Sequence, residues 1–334
     1  MNFYTLLNIS TKIKSTTLKL IGIYVLHLLD RRHLSVRIDP SLNCNLFCRM
    51  CYFSSMEQRK KLKGIIPEID FSHIAKVLFP RAFQVYVGCG AEPTTHRNFI
   101  ELVKLAKEYN VPDVGVVTNG QLLTEKQIEY LTDIKLNELT LSCHGVTKES
   151  YEHFMTNSKF NRFLNTLELI EKYKNIKKSK YPEIRINYTV NNKNLSELNK
   201  FFTVFDKYNI NTLQIRPVIN IGGKYSHAIT DEQIPEYNNI INSLKNECSM
   251  RGIRLLANTT NVQFTRKNNN AKVADAVYCY IGPKTTEKLN ITWKNTNFAE
   301  FTRQTAWRKK LYTLILGKKE STLNKSTANY EVFE

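Results

Sequence analysis

Several features that would assign this 334-residue chain to a particular class of protein are scarce or missing. Its seven cysteines are too few for a disulfide scaffold of this length, and their odd number leaves one thiol over under any full pairing. The sequence has no low-complexity tract of consequence, and no apolar run reaches the roughly 20 residues that a membrane-spanning helix needs. Its hydrophobic residues (42%) and aromatic residues (11%) exclude disorder as the main state. The sequence therefore predicts a folded chain with a large core and no transmembrane span.

Acidic residues are also few. The sequence has 30 Asp and Glu against 48 Lys and Arg, which gives a net charge of +18. Such an excess favours nucleic acid, anionic lipid or an acidic substrate as a partner. Against nucleic acid, there is no recognised RNA-binding motif and no dense basic–aromatic tract. The lysines are dispersed along the chain, as is typical of solvated helix faces. Charge alone leaves a nucleic-acid partner open without predicting one.

The N-terminal region combines a short apolar run with lysines. Residues 20–29 are apolar and follow Lys12, Lys14 and Lys19, which is the order of charges seen in signal peptides. No small-residue cleavage site precedes Asp30, however, and ten residues are too few to span a membrane. We predict an amphipathic helix packed on the main domain, and contact of its basic flank with a membrane surface is the alternative.

Three of the seven cysteines lie within eight residues, as Cys44, Cys48 and Cys51 in a C-x3-C-x2-C pattern. Three thiols cannot all pair in disulfides, and a structural zinc site would need a fourth ligand. His33 and His73 are candidates for that ligand by proximity alone. Three thiolates on one loop suit an iron–sulfur cluster that keeps one iron free of protein ligands. A zinc-stabilised binding module and an iron–sulfur electron carrier remain alternatives.

The rest of the chain alternates short β-rich runs with helical segments. The predicted strands span residues 35–39, 83–87, 114–117, 138–142, 184–190 and 212–218. The predicted helices span residues 71–80, 98–109, 124–134, 148–173, 195–208 and 231–251. Regular β–α alternation predicts an α/β fold with a parallel sheet, here a partial (β/α)6 TIM-type barrel. We assign this barrel to residues 34–252, a helical N-terminal extension to residues 1–33, and a small C-terminal extension to residues 253–334.

The cysteine motif, placed just after a predicted strand, resembles the cluster loop of the radical S-adenosylmethionine (radical SAM) superfamily. The resemblance implies that Cys44, Cys48 and Cys51 hold a [4Fe–4S] cluster and that SAM binds its open iron. It further implies reductive cleavage of SAM to a 5′-deoxyadenosyl radical, with an electron donor such as flavodoxin or ferredoxin. An oxygen-sensitive cluster also favours the reducing cytoplasm. The sequence departs from the family at Met50, where an aromatic residue is usual.

A second segment of the resemblance follows the predicted strand at residues 83–87. Residues 88–93 read Gly-Cys-Gly-Ala-Glu-Pro and are similar to the Gly-Gly-Glu segment of the family, which meets the amino group of SAM. The resemblance assigns Gly90 and Glu92 to this contact. We expect Cys89 between them to be a small buried side chain.

Three later strand ends add candidates, because parallel α/β folds build their sites where strands end. Asn119 lies in a Thr-Asn-Gly triplet like that of the peptide-modifying branch, and the resemblance implies that it positions SAM. Ser142 matches a serine close to the SAM ribose. His144 stands where the family often has Asp and is a candidate substrate contact or proton donor. Arg216 could face the SAM carboxylate or the substrate, or form a salt bridge at the rim.

The C-terminal region differs from that of many relatives, which carry a cysteine-rich SPASM or Twitch extension with auxiliary clusters. Residues 278–282 are similar to the start of such an extension, but only Cys248 and Cys279 lie beyond residue 143. Two distant thiols cannot supply the ligands of a second cluster, so we expect one cluster only. The polar tail from Lys318 onward is expected to fray.

Together these features predict a radical SAM enzyme that abstracts hydrogen from an unidentified substrate. The sequences of these motifs favour a peptide or protein substrate, and a small-molecule substrate remains an alternative. The alternatives are a radical SAM enzyme that modifies RNA and a non-enzymatic protein that binds zinc or an iron–sulfur cluster.

Overall fold

The computed structural model describes residues 12–218, 227–259, 262, 270–317 and 331–333. The strands are β1 (Leu34–Ile38), β2 (Ala82–Val87), β3 (Asp113–Thr118), β4 (Glu138–Cys143), β5 (Glu183–Val190), β6 (Thr212–Pro217), β7 (Arg254–Ala257), β8 (Tyr278–Ile281) and β9 (Glu331–Phe333). The helices are α1 (Thr16–Leu28), α2 (Met56–Lys61), α3 (Ile69–Leu78), α4 (Phe99–Glu108), α5 (Glu125–Asp133), α6 (Lys148–Phe154), α7 (Phe160–Ile176), α8 (Phe201–Phe205), α9 (Ile234–Met250), α10 (Asn270–Val277), α11 (Pro283–Lys288), α12 (Phe298–Gln304) and α13 (Trp307–Ile315).

The chain divides into two compact units. The first unit consists of Met1–Leu42, Gly64–Gly115 and Lys267–Ala328, and the second of Asn43–Lys63, Val116–Arg266 and Asn329–Glu334. In the first unit, β1 pairs in parallel with β2 on one side and β8 on the other. In the second unit, β4, β5, β6 and β7 pair in parallel in chain order, and β9 pairs antiparallel with β7. Strand β3 contains residues of both units.

The predicted fold class is confirmed. The fold is α/β with eight parallel strands, and over the described residues the sheet does not close, as in a partial TIM-type barrel. Two of the parallel strands, β7 and β8, were not among the six predicted and come from residues 253–334. The division into three segments stays a prediction, and the tail from Lys318 lies outside the described residues except for residues 331–333.

Two predicted helices are wrong in extent. Residues 195–208 form a 3-10 helix at Ser196–Lys200 followed by the short α8 (Phe201–Phe205). Residues 148–173 were expected to be helical throughout, but α6 ends at Phe154 and α7 begins at Phe160. Asn157 between them has a φ of 73°, in the left-handed region that asparagine tolerates better than most residues. By contrast, the predicted cap of α5 is confirmed, because the Thr124 side chain and Gln127 form a reciprocal capping box.

The strands of the first unit carry polar residues on one face. The Ser35 hydroxyl and the Arg37 guanidinium both donate to Gln84 Oε1, at 2.8 and 2.7 Å. Gln84 in turn donates to the carboxylate of Asp113 at 2.6 Å. Arg37 also lies over the ring of Tyr86, 4.2 Å from its centre. The alternate positions along these strands are apolar and buried, as the two-residue period of a strand requires: Val36, Ile38, Val85 and Val87.

The second unit repeats this division of faces. Arg185 on β5 forms a buried ion pair of 2.7 Å with Glu138 on β4, and Thr140 donates to the same carboxylate. Alternate positions supply the core under the helices: Leu139, Leu141, Ile184, Ile186, Leu213 and Ile215. The polar residues therefore lie on one face of these strands, and the apolar residues of the other face form the core that stabilises the unit.

The predicted N-terminal helix is present as α1. Its Leu20, Ile23 and His27 are buried, and α1 packs on α10 and α13 within the first unit. His27 lies against the Trp307 ring at 4.4 Å and accepts a hydrogen bond from Arg308. The helix was predicted to pack on the barrel of residues 34–252, but these contacts are with α10 and α13, which come from residues 253–334.

Candidate functional site

The three-cysteine loop belongs to the second unit. Cys44, Cys48 and Cys51 are half-buried and form no disulfide. The amide of Cys51 donates to the carbonyl of Cys48 at 3.0 Å, which makes a tight turn between these two cysteines. Burial raises the pKa of the Cys51 thiol. A metal would therefore have to displace the proton of this thiol on binding.

Arg59 on α2 fixes the two ends of the loop. Its guanidinium donates to the carbonyls of Cys44 at 2.6 Å and Leu46 at 2.8 Å, and to that of Phe53 at 3.2 Å. The same group lies over the ring of Phe47 at 3.8 Å. An arginine can satisfy three carbonyls at once because its five N–H groups are spread over a rigid plane.

The break between α6 and α7 holds the middle of the loop. The amides of Phe47 and Arg49 donate at 2.9 Å to the carbonyls of Thr156 and Phe154, respectively. The Asn157 side chain donates to the carbonyl of Asn45 at 2.8 Å. A continuous helix would use these carbonyls internally, so the interruption frees them to bind the loop.

Met50, at the position where the family usually has an aromatic residue, is buried. It packs with Phe154 and Val218. Its sulfur accepts a hydrogen bond from Asn191 Nδ2 at 3.0 Å. A flexible thioether fills irregular space well, so the substitution preserves packing in this part of the unit.

Asn119 lies against the loop, as its position at the end of β3 requires. Its Nδ2 donates to the side-chain oxygen of Asn45 at 2.9 Å, and its Oδ1 accepts from the amide of Gln121. Gly120 follows with a φ of 73°, a conformation that suits glycine. The predicted residue is therefore brought to the cysteine loop through Asn45.

The ends of β4, β5 and β6 bring together two further candidates. The ring of His144 accepts at Nδ1 from the amide of Thr189 at 3.4 Å, so its remaining proton lies on Nε2. Burial and the nearby charge of Arg216 lower the pKa of His144 to about 4. Asn194 donates to the carbonyls of both His144 and Thr189 and holds this pair in place. Ser142, which lies on β4 two residues before His144, is half-buried.

His144 is consequently a neutral ring at physiological pH. It can donate a hydrogen bond through Nε2, but it has no second proton to give as an imidazolium. Its predicted role as a substrate contact is compatible with this geometry, and proton donation would have to come from the neutral ring.

The candidates Gly90 and Glu92 lie in the first unit, after β2. Glu92 is buried and accepts from the amide of Thr94 at 3.2 Å and from its hydroxyl at 2.6 Å. The backbone of this turn is held by Asp39, whose carboxylate accepts from the amides of Cys89 at 2.6 Å and Gly90 at 3.0 Å.

Asp39 is the main residue that the sequence analysis missed. It is buried and also accepts from the hydroxyl of Tyr280 on β8 at 2.7 Å. Burial raises the pKa of Asp39, and these three donors act in the opposite direction. Its position directly after β1, five residues before Cys44, was the only available signal.

Cys89 corrects another expectation. It was predicted to be buried, but its side chain is exposed, with its sulfur 3.4 Å from the hydroxyl of Tyr278. The reason is that Asp39 binds the amide of Cys89 and leaves its side chain on the outer side of the turn. The other three cysteines outside the motif are buried: Cys143, Cys248 and Cys279.

The donor set of the loop fits an iron–sulfur cluster, since three thiols lie within eight residues and their backbone is fixed by hydrogen bonds. In the described part of the chain, no three His, Cys, Asp or Glu side chains are grouped closely enough to hold a metal ion.

A cavity of about 970 Å³ lies beside the loop in the second unit. Phe47 and Arg49 of the loop line it together with Glu149, His153 and Lys193, among others. Its charges have both signs, so it is not selective for an anion or a cation by net charge. Among the described residues, no helix is both long and apolar enough to cross a membrane.

Comparison with solved structures shows the same fold in enzymes that bind SAM. "Native anSMEcpe with bound AdoMet and Cp18Cys peptide" has a TM-score of 0.53 and 23% identity, covering 66% of this chain and 61% of that one. "Crystal structure of Streptococcus suis SuiB" has a TM-score of 0.61 and 14% identity, covering 83% and 65%. At these identities the likeness concerns the fold alone.

Sequence comparison gives relatives and a family. A "Probable GTP 3′,8-cyclase" of Saccharolobus islandicus is 26% identical over 206 residues, which are 60% of this chain and 63% of the relative. A protein of the same name from Sulfurisphaera tokodaii is 22% identical over 187 residues, 56% of each chain. This chain thus matches less than two thirds of the length of these relatives. The profile of the radical SAM superfamily matches residues 38–191, which include all three motif cysteines. Residues 38–191 of this chain are therefore similar to the radical SAM domain, and the activity of the whole protein is a proposal.

Proposed function

We propose that this enzyme binds one [4Fe–4S] cluster through Cys44, Cys48 and Cys51 and uses it to act on a peptide or protein substrate. When bound and reduced, such a cluster cleaves SAM to a 5′-deoxyadenosyl radical, which abstracts hydrogen from the substrate. The observation that carries the proposal is the loop of three cysteines whose backbone is fixed by Arg59 and by the α6–α7 break.

The SAM ligands follow from the remaining candidates. Glu92 and Gly90 bind the amino group of SAM, and Asn119 keeps the cysteine loop in place through Asn45. Ser142 meets the ribose, and Arg216 supplies a positive charge for the carboxylate of SAM or for the substrate. His144 donates through Nε2 to the substrate. These residues hold and orient the reactants, which is the main contribution of a protein to radical chemistry.

Two lines of support favour a peptide. The cavity beside the loop lies at the upper end of the volumes typical of small-molecule sites, and its mixed charges suit a peptide segment better than one ion. In addition, a solved neighbour of the same fold is "bound to precursor peptide SuiA" by its title. An electron donor such as flavodoxin or ferredoxin, and the reducing cytoplasm, complete the proposal.

The first test is anaerobic reconstitution of the purified enzyme with iron and sulfide. We expect roughly four Fe and four sulfides per chain, and 5′-deoxyadenosine on addition of SAM and a reductant. Tight stoichiometric zinc without SAM turnover would contradict the proposal and favour the zinc-binding alternative.

A nucleotide is the second candidate substrate, because the curated relatives are named as cyclases of GTP. The reconstituted enzyme is incubated with a peptide pool, with nucleoside triphosphates or with RNA, and 5′-deoxyadenosine formation is compared with the rate in the absence of substrate. Stimulation by peptide alone supports the first proposal. Stimulation by a nucleotide or by RNA alone replaces it with the corresponding alternative.

A further inference from the structure

Helix α1 presents an apolar surface on the side that faces away from the first unit. Leu18, Ile21, Val25 and Leu28 are between 42% and 57% exposed. Their spacing of three, four and three residues places them within one stripe of the helix, opposite the buried Leu20, Ile23 and His27. We call these four exposed residues the outer stripe.

The outer stripe is extended by Leu29, which directly follows the helix and is 63% exposed. Single exposed apolar residues are normal on a protein surface, but four in one stripe of a helix mark an interaction surface.

The charge around the outer stripe identifies its partner. Residues 1–29 contain three lysines, Lys12, Lys14 and Lys19, and no acidic residue. The first acidic residue, Asp30, is paired with Arg81 at 2.7 Å. An apolar stripe in a segment that carries lysines and no acidic residue matches an anionic lipid surface, where the apolar side chains contact acyl chains and the lysines contact headgroups.

The length of α1 decides how it would lie. Its 13 residues extend about 20 Å, well short of the roughly 30 Å of a hydrocarbon core. The inner side of the helix is already occupied by α10 and α13. We infer that α1 binds anionic membranes by lying in the interface, with the outer stripe inserted at headgroup depth and with Lys12 and Lys14, which precede the helix, among the headgroups. This inference does not depend on the proposed reaction.

The test is flotation of the full-length protein with vesicles of pure phosphatidylcholine or of phosphatidylcholine with 30% phosphatidylglycerol, a composition chosen at roughly the charge of a natural anionic leaflet. We expect binding to the anionic vesicles, weak binding to the neutral ones, and loss of binding at high salt. No binding to either vesicle would overturn the inference.

Variants separate the apolar and the charged contributions. Leu18→Ser with Val25→Ser should abolish flotation, because both side chains are exposed and their loss spares the packed side of α1. Lys12→Gln, Lys14→Gln and Lys19→Gln together should weaken binding by about a hundredfold, at about tenfold or less per lysine. Binding that survives the two serine substitutions would contradict insertion of the outer stripe.

Matched controls carry the same chemistry elsewhere. Ile176→Ser with Met250→Ser removes two exposed apolar residues from other helices, and Lys76→Gln, Lys126→Gln and Lys148→Gln removes three exposed lysines. Both control variants should float like the native protein, and circular dichroism should show that every variant is folded. Light scattering without lipid tests the competing occupant: a dimer that the Leu18→Ser, Val25→Ser variant dissociates would assign the outer stripe to a second copy of the chain and overturn the membrane inference.

Discussion

The cysteine loop and the turn after β2 are held in place in different ways. The loop has several independent anchors: Arg59 binds three of its carbonyls, the α6–α7 break binds two of its amides, and Asn157 and Asn119 bind Asn45. In the turn that carries Gly90 and Glu92, the carboxylate of Asp39 accepts from two amides, and Thr94 donates to the carboxylate of Glu92.

This difference predicts how each region responds to substitution. Where several independent hydrogen bonds fix a segment, the removal of one of them leaves most of the geometry intact. Where one buried carboxylate collects several donors, its loss leaves all of them without their partner at once. The loop should therefore tolerate changes in its supports but not in its ligands, whereas the turn should be sensitive at one supporting residue.

The largest effect is expected at the ligands themselves. Cys44→Ala, Cys48→Ala or Cys51→Ala should each abolish cluster assembly, because two thiolates are too few to hold a cluster of this type. Iron and sulfide analysis after anaerobic reconstitution measures the loss. Cys248→Ala and Cys279→Ala are the matched controls, since both remove a thiol buried elsewhere. Loss of iron in either control would break the prediction of a single cluster.

Acid should weaken both units, each through a buried histidine. The pKa of His27 in the first unit and that of His144 in the second are lowered from 6.5 to about 4, in both cases chiefly by burial. Between pH 6.5 and 4 the unfolded chain therefore binds more protons than the folded one, and the free energy of unfolding falls as the pH decreases through this range. Above pH 7 neither group contributes.

The pH effect is measured by urea denaturation at several values between pH 7.5 and 5. Each histidine accounts for up to about 3 kcal/mol over its full range, of which only part is reached at pH 5. His27→Gln and His144→Gln should each flatten the dependence of stability on pH, and the two changes should add because the residues lie in different units. An unchanged slope in both variants would refute the assignment.

Asp39→Asn tests the support that this carboxylate gives to the β2 turn. The side-chain amide of asparagine has the size of the carboxylate, but it points an N–H group at one or more of the donors. The hydrogen bonding that is lost costs about 2 kcal/mol in free energy. We expect weaker SAM binding, by roughly thirtyfold if this cost falls on the bound state, with the iron content unchanged. Tyr280→Phe removes one donor and leaves the two amide contacts, so its effect should be smaller. Equal effects of the two variants would argue against a special role for the carboxylate.

The sequence predicted the parts of this site that a local pattern can encode. The cysteine spacing, the strand ends at Asn119 and Ser142, and the cap at Thr124 follow from neighbouring residues, and the cap is confirmed. The interruption between α6 and α7 was missed, because the helix period continues through residues 155–159 and the competing hydrogen bonds come from a loop about 110 residues earlier.

Long-range contacts explain the other errors as well. Strands β7 and β8 are four residues each, too short for a clear period, and β8 pairs with a strand some 240 residues away. Asp39 resembles any strand-end carboxylate until Tyr280 and the amides of the β2 turn are placed around it. Exposure of Cys89 follows from the same contacts.

Substitution of Arg59 tests whether the cysteine loop is held in place by several independent sets of hydrogen bonds. Arg59→Ala removes three hydrogen bonds and the contact with Phe47, yet the bonds to the α6–α7 break remain. We expect a loss of about 1–2 kcal/mol in the free energy of unfolding and faster loss of iron on exposure to a chelator, with assembly still possible. Asn157→Ala, which removes one anchor, should have less effect. Complete failure of assembly in Arg59→Ala would show that this side is the only essential one.

Met50→Leu should give the smallest effect, and its comparison with Met50→Ala tests how far the loop depends on one contact. Met50→Leu keeps the volume packed against Phe154 and Val218 and loses only the hydrogen bond from Asn191 to sulfur. A volume-conserving exchange of this kind costs below about 1.5 kcal/mol, and the iron content should not change. Met50→Ala adds a cavity at the same position and should cost about 2–5 kcal/mol. If the leucine variant were as unstable as the alanine variant, the bond to sulfur would be essential, and the loop would depend on one contact.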